Sequence, residues 1–172
     1  LRKMWSIIVA SDLHFGKSAD YLCAKIQILN KIIQKKDEDN IQLVISAGDL
    51  TEYGTDGFQM CGLMKKNNNN ELISLRNQWV KPLEDNNITT LLTIGNHDTY
   101  VPWPYLHKPV MKYVSKKHDA TFYPIINMYR SGYYSFEKNG VLFLSFGIKP
   151  TYWKWIKENL THDIPMIIFF HY

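Results

Sequence analysis

Short apolar runs alternate with polar clusters along this chain, and four of the runs end on residues of one chemical kind. Trp5-Ser6-Ile7-Ile8-Val9-Ala10 leads into Asp12-Leu13-His14, and Leu43-Val44-Ile45-Ser46-Ala47 leads into Gly48-Asp49. Leu91-Leu92-Thr93-Ile94 leads into Gly95-Asn96-His97-Asp98, and Met166-Ile167-Ile168-Phe169-Phe170 leads into His171. Short apolar runs of this kind read as buried strands. Leu22, Ile26, Leu29 and Ile33 recur at helical spacing and predict an amphipathic helix of about four turns. Lys35 and Lys36 near its end suit the helix dipole, and Asp37-Glu38-Asp39-Asn40 forms a polar connection to the next strand. Strand, helix, strand implies a parallel pair. Leu72, Leu75, Trp79 and Leu83 predict a second helix over 71–83, with Pro82 near its end, leading to the strand at Thr90. The unit therefore recurs.

The second half is patterned differently. Tyr133-Tyr134-Ser135-Phe136 and Val141-Leu142-Phe143-Leu144-Ser145 flank Asn139-Gly140, which predicts a β-hairpin. Residues 151–160 read as a helix with Thr151 as its N-cap, and a last strand follows Pro165. Tyr100 to Tyr105 contains two prolines and cannot be regular helix, whereas 109–117 suits a short one. Asn67 to Asn70 reads as a solvated low-complexity tract. No internal repeat or linker divides the chain, so a single catalytic domain over residues 1–172 is expected.

In open α/β sheets ligands bind beyond the carboxyl ends of the strands. Asp12 and His14 stand two residues apart, so in extended chain they share a face and reach one ion. Gly95 permits a sharp turn, after which Asn96, His97 and Asp98 crowd one point. Singly, each cluster has a bland explanation: a turn for Gly48-Asp49, a core histidine for His171. Four ligand-type clusters, each following a strand, instead predict a metal site assembled from separate strand ends. Carboxylate and amide oxygens mixed with imidazole suit Mn, Fe, Zn or Mg.

Composition narrows the picture only a little. The chain has 172 residues, 45% hydrophobic and 21% charged, enough for one domain with its own core. The net charge of +4 does not by itself argue for nucleic acid and suits an anionic phosphate substrate equally well. Two cysteines make no disulfide framework, and Cys23, within the helical pattern, is expected to pack as a small core residue. No apolar run approaches the length of a membrane span. The apolar start runs directly into Asp12 and His14, so it is not read as a cleaved signal peptide, and a cytoplasmic location is expected.

The order Asp12-x-His14, Gly48-Asp49, Gly95-Asn96-His97-Asp98, His171 resembles the calcineurin-like metallophosphoesterase superfamily over nearly the whole chain. Ser11-Asp12-Leu13-His14-Phe15-Gly16 and Gly48-Asp49-Leu50-Thr51 are most similar to its cyclic-nucleotide and glycerophosphodiester phosphodiesterase branch. The resemblance implies an α/β fold, a four-layer α-β-β-α sandwich. It also implies two divalent or mixed-valence metal ions, with Asp12, His14 and Asp49 on the first and Asp49, Asn96 and His171 on the second, Asp49 bridging. His97 would stabilise charge on the phosphate and protonate the leaving group, with Asp98 orienting it. The family pattern continues with a Gly-His-x-His element, which would lie beyond Tyr172, so the domain is expected to be truncated at its C-terminal end. Glu52 stands where purple-acid-phosphatase-like relatives carry a tyrosine ligand, so no tyrosinate-to-iron charge transfer is expected.

The function implied is hydrolysis of a phosphodiester or phosphomonoester by attack of a metal-bridging hydroxide, with the diester favoured. The alternatives are a non-catalytic interaction module that retains the fold, or a nuclease of the same superfamily. The second is disfavoured because no basic and aromatic stripe long enough to track a strand is visible. The expected partner is a small phosphate-ester substrate. Tyr100, Trp103, Tyr105 and Arg130 are weaker candidates for contacting it, and His107, His118 and His162 read as surface residues rather than substitute ligands.

Overall fold

The computed structural model describes residues 4–52, 71–99, 121–122, 133–148, 153–160 and 163–172. Three parallel strands, β1 (Ser6–Ala10), β2 (Ile41–Ala47) and β3 (Thr89–Thr93), form one sheet in that order. β2 is central, and its apolar run is covered on both faces, as parallel strands require. Helix α1 (Ala19–Lys35) connects the first two strands, and its N-cap Ser18 accepts a hydrogen bond from the Tyr21 amide. The second connection ends in α2 (Glu71–Leu75), a π-helical turn (Arg76–Val80) and α3 (Lys81–Asp85), which follow without a gap. Pro82 is the physical reason for the π turn. Proline lacks an N–H and its ring crowds the preceding turn of a regular helix. The wider turn, closed by the Lys81 amide on the Arg76 carbonyl, makes room for it.

The second sheet has the order β4 (Thr121–Phe122), β5 (Tyr133–Lys138), β6 (Val141–Phe146), β7 (Met166–Phe169). β5 and β6 are the expected hairpin. Asn139 (φ 54°) and Gly140 (φ 76°) both lie in the left-handed region that a tight two-residue turn demands. β7 joins β6 in parallel, with Ser145 opposite Phe169.

Strand alternation sorts the residues into layers. On the first sheet, Ser46 accepts a hydrogen bond from the Trp79 indole at 3.0 Å, so alternate residues of β2 face the helices. The opposite face meets the second sheet. There the Tyr134 hydroxyl donates to the Leu92 carbonyl (2.8 Å), Lys138 reaches the Thr89 hydroxyl (2.8 Å), and the Thr93 and Ser145 hydroxyls are in contact. Leu43, Ile45, Leu91, Tyr134, Phe143 and Phe169 belong to one buried core spanning both sheets, which Leu29, Ile32, Trp79 and Leu83 join from the helices. On the far side of the second sheet, Tyr133, Leu142, Leu144 and Phe146 pack on Trp155 and Ile156 of α4 (Trp153–Asn159). Helices, sheet, sheet and helix give the α-β-β-α arrangement expected.

On α1 the expected apolar face is kept in part, with Leu22, Leu29 and Ile33 in or against the core, and one expectation fails. Its buried stripe is Lys25, Leu29 and Ile32, while Ile26 is exposed and Leu22 and Ile33 are half-buried. Cys23, expected in the core, is exposed. At 100° per residue, position 23 lies about 160° round the helix from Lys25, on the face away from the sheet. Among the described residues no helix is long and apolar enough to cross a membrane. Cys61, the Asn67–Asn70 tract, the 109–117 helix, the Thr151 cap, Tyr100, Trp103, Tyr105, Arg130, His107, His118 and His162 lie outside the described residues.

Candidate metal centre

The carboxyl ends of β1, β2, β3 and β7 open on one rim, because the first three run parallel and β7 continues that sense beside β6. Main-chain hydrogen bonds carry the pairing past the strand ends. The Asp12 amide donates to the Gly48 carbonyl (3.1 Å), His14 to Asp49 (2.8 Å), Phe15 to Leu50 (3.0 Å) and His171 to Gly147 (2.9 Å). Asp12 (φ 57°), His14 (φ 43°) and Asp49 (φ 47°) all take left-handed backbone conformations, uncommon for non-glycine residues and tolerated best by Asp, Asn and His. These turns fold both loops back over the rim.

Two close approaches demand glycine. A Cβ on Gly95 would overlap the Asp49 amide and carboxylate, and one on Gly48 would overlap the His171 ring. The glycines that punctuate both motifs therefore let three chain segments crowd Asp49.

Asp49 is buried and central. Its Oδ2 lies 3.8 Å from His14 Nε2 and 3.9 Å from His97 Nε2, and its Oδ1 lies 3.4 Å from His171 Nε2. Asp12 Oδ1 is 3.9 Å from His14 Nε2. Two groups of donor atoms result, His14-Asp49-His97 and Asp12-Asp49-His171, each with its atoms within 4.8 Å of one another. Asn96 is half-buried beside them, between Gly95 against Asp49 and His97, whose amide donates to Asp49 Oδ1 (2.9 Å). The rim thus gathers the side chains of Asp12, His14, His97 and His171 around Asp49. Asp12 Oδ1 and Asp49 Oδ2 both lie within 3.9 Å of His14 Nε2, and His97 Nε2 lies as near to Asp49 Oδ2.

The proton positions of the histidines follow from their outer partners. His171 Nδ1 faces the Ala47 carbonyl at 3.0 Å and His97 Nδ1 faces the Glu52 carbonyl at 2.8 Å. A carbonyl only accepts, so each Nδ1 carries the proton and each Nε2 presents a lone pair in the neutral ring. Those lone pairs point toward carboxylate oxygens at 3.4–3.9 Å, acceptor toward acceptor. A cation resolves that repulsion. Donor atoms on one ion at 2.0–2.2 Å are about 3 to 4 Å apart, the spacing found here. The donor set therefore fits a hard or borderline divalent metal.

Asp98 binds the loops on either side of Asp49. Its Oδ2 accepts from the Gly95 (2.8 Å) and Leu50 (3.0 Å) amides, and its Oδ1 from the Thr51 amide (2.8 Å) and hydroxyl (2.7 Å). The partner given to His97 Nδ1 is the Glu52 carbonyl. Asp98 is a tie between loops. Burial pushes its carboxyl above the usual carboxylate range, against the pull of those four hydrogen bonds.

The contacts of two residues near the site escaped sequence reasoning. Glu52 Oε2 sits 2.9 Å behind His14 Nδ1, off the line of a good hydrogen bond, and neither atom has a better partner. Lys25 is buried beneath the Asp12–His14 loop, its ammonium on the Leu13 carbonyl, 3.0 Å from the His14 carbonyl and over the Phe15 ring. Desolvation lowers its pKa to about 8. A lysine at an apolar position of a helical stripe was the available signal.

A family model for calcineurin-like phosphoesterases matches residues 6–172. The chain belongs to that family. Among curated proteins none matches it. For a calcineurin-like phosphoesterase, metal-dependent hydrolysis of phosphoesters is the activity that membership implies, and the His and Asp groups at the rim are of a kind that could hold the metal.

Proposed function

We propose that this chain is a dinuclear metal-dependent phosphoesterase that prefers phosphodiesters over phosphomonoesters. The observation that carries the reading is the shared position of Asp49, whose two oxygens face separate donor groups. Asp12, His14, Asp49, Asn96 and His171 would hold two divalent cations between them. When bound, such ions lower the pKa of water and neutralise charge on phosphate oxygens. With that chemistry supplied by metal, no serine or cysteine nucleophile is required of the protein.

His97 is the side chain placed to meet substrate. It is 25% exposed, against 10% for His14 and 13% for His171. Its Nδ1 faces the Glu52 carbonyl, so Nε2 is the nitrogen turned toward the cluster, 3.9 Å from Asp49 Oδ2. There it would donate to a phosphate oxygen and then give its proton to the departing alkoxide. Asp98 contributes by position alone, fixing Gly95 and Thr51 on either side of Asp49. Preference for diesters follows the branch similarity of the Asp12 and Asp49 motifs.

The test is release of p-nitrophenol from bis(p-nitrophenyl) phosphate and from p-nitrophenyl phosphate, with Mn2+ or Zn2+ added. The diester is expected to turn over faster, and Asp49→Ala to reduce turnover by about 100-fold or more. His97→Ala is expected to lower kcat by a larger factor than it lowers metal content. Turnover unaffected by Asp49→Ala would remove the reading.

A further inference from the structure

The segment after Asp49 does more than deliver that carboxylate. Three residues on, Glu52 meets both histidines that face Asp49 Oδ2. Its side-chain Oε2 is 2.9 Å from His14 Nδ1, and its main-chain carbonyl is 2.8 Å from His97 Nδ1. The two rings meet edge to face, with centroids 4.6 Å apart. Glu52 is itself fixed, because its amide donates to the Phe15 carbonyl at 3.0 Å and Thr51 beside it is tied to Asp98. Its side chain is only 14% exposed, so the carboxylate has little access to water as an alternative partner.

We propose that Glu52 is a positioning residue that sets the tautomers of His14 and His97 together, the first through its carboxylate and the second through its backbone. The proposal rests on the metal-centre reading above. A carboxylate behind an imidazole keeps the proton on the near nitrogen and raises the basicity of the far one. For His14 the near nitrogen is Nδ1 and the far one is Nε2, which faces Asp12 and Asp49. With a metal bound, His14 would offer Nε2 as the ligand atom, and the Glu52 carboxylate would hold the Nδ1 proton by a charge-assisted hydrogen bond. The two halves of the device are separable. Substitution of the side chain removes the hold on His14 and leaves the carbonyl that holds His97.

The experiment uses wild type, Glu52→Ala and Glu52→Gln. Long-range proton–nitrogen spectra of the metal-free proteins, taken where imidazole is neutral, report each tautomer. Wild type is expected to carry both protons on Nδ1. In Glu52→Ala, His14 moves to a mixture or to the Nε2–H form while His97 keeps Nδ1–H. Titration with Mn2+ is expected to show affinity reduced about 10- to 100-fold in Glu52→Ala. Glu52→Gln keeps an oxygen able to accept the Nδ1 proton, so it is expected to restore the His14 tautomer and to bind Mn2+ with intermediate affinity. A His14 tautomer and Mn2+ affinity in Glu52→Ala within about twofold of wild type would overturn the proposal. Should Glu52→Ala fail to fold, Glu52→Gln decides, and unchanged affinity there overturns it. Wild type that takes up no Mn2+ would instead sink the phosphoesterase reading, and the metal-free spectra would still judge Glu52.

Discussion

Asp98 Oδ1 accepts both the amide and the hydroxyl of Thr51, a residue 47 positions earlier in the chain. This pair ties the loop after β3 to the loop after β2 and holds Asp49 between them. All four groups on the Asp98 carboxylate are donors, so an amide in its place would set N–H against N–H. Asp98→Asn is expected to destabilise the fold by about 2–4 kcal/mol, because a buried donor left without an acceptor costs about 1–3 kcal/mol. Thr51→Val, which loses only the hydroxyl bond, is expected to cost about 1 kcal/mol. Denaturant unfolding of the two variants checks the order. Equal losses would mean that Asp98 is not a tie between loops.

Metal removal has its own signature. Since the Nε2 atoms of His97 and His171 face carboxylate oxygens at 3.9 and 3.4 Å, metal should stabilise the folded chain by relieving that repulsion. At a free Mn2+ concentration about 100 times Kd, linkage predicts about 2.7 kcal/mol of added stability. Chelator should lower Tm and fresh Mn2+ should restore it. The shift should vanish in Asp49→Ala, which removes the carboxylate common to both donor groups. A full Tm response in that variant would place the metal elsewhere.

The glycines give a third test. Gly95→Ala drives a Cβ into the Asp49 amide and carboxylate, where overpacking typically costs about 1–3 kcal/mol. Mn2+ affinity should fall with it, since the displaced group is the shared carboxylate. Gly140→Ala is the control. Its φ of 76° is strained for alanine, but a Cβ there meets open space, so stability alone should fall, by about 1 kcal/mol. Titration and thermal melts of the two variants should separate these effects. Undiminished metal affinity in Gly95→Ala would contradict the crowding around Asp49.

Lys25 predicts a pH dependence. Its folded pKa is lowered to about 8 by desolvation, below the ordinary lysine value of 10.5. Between these values the unfolded chain holds the proton more than the folded one does. Stability attributable to this group therefore rises with pH through the window from about 8 to about 10.5. The difference in unfolding free energy, wild type minus Lys25→Met, should grow between about pH 7 and about pH 10. A flat or falling difference in urea melts would show that burial does not govern this ammonium.

Much of the centre was legible in the chain itself. A strand is a local pattern, and so is the polar residue that ends it. Asp12, His14, Asp49, Asn96, His97 and His171 could be named before any coordinates, as could the Asn139-Gly140 hairpin and the recurring strand-helix-strand units. Their shared rim follows from parallel strands, whose carboxyl ends point one way. What local pattern cannot carry is which atom faces which across the fold. The pairing of Asp98 with Thr51, the reach of Glu52 to two histidines and the burial of Lys25 under the His14 loop join segments distant in sequence, and no periodicity encodes them. The exposure of Cys23 depends on how α1 rotates against its sheet. Sequence determined the strands and the order of the candidate donors that follow them, because both are written in short apolar runs and the residues that stop them. Tertiary packing decided the ties and the close approaches, because these arise only when backbone carbonyls and carboxylates from separate loops meet the same side chains.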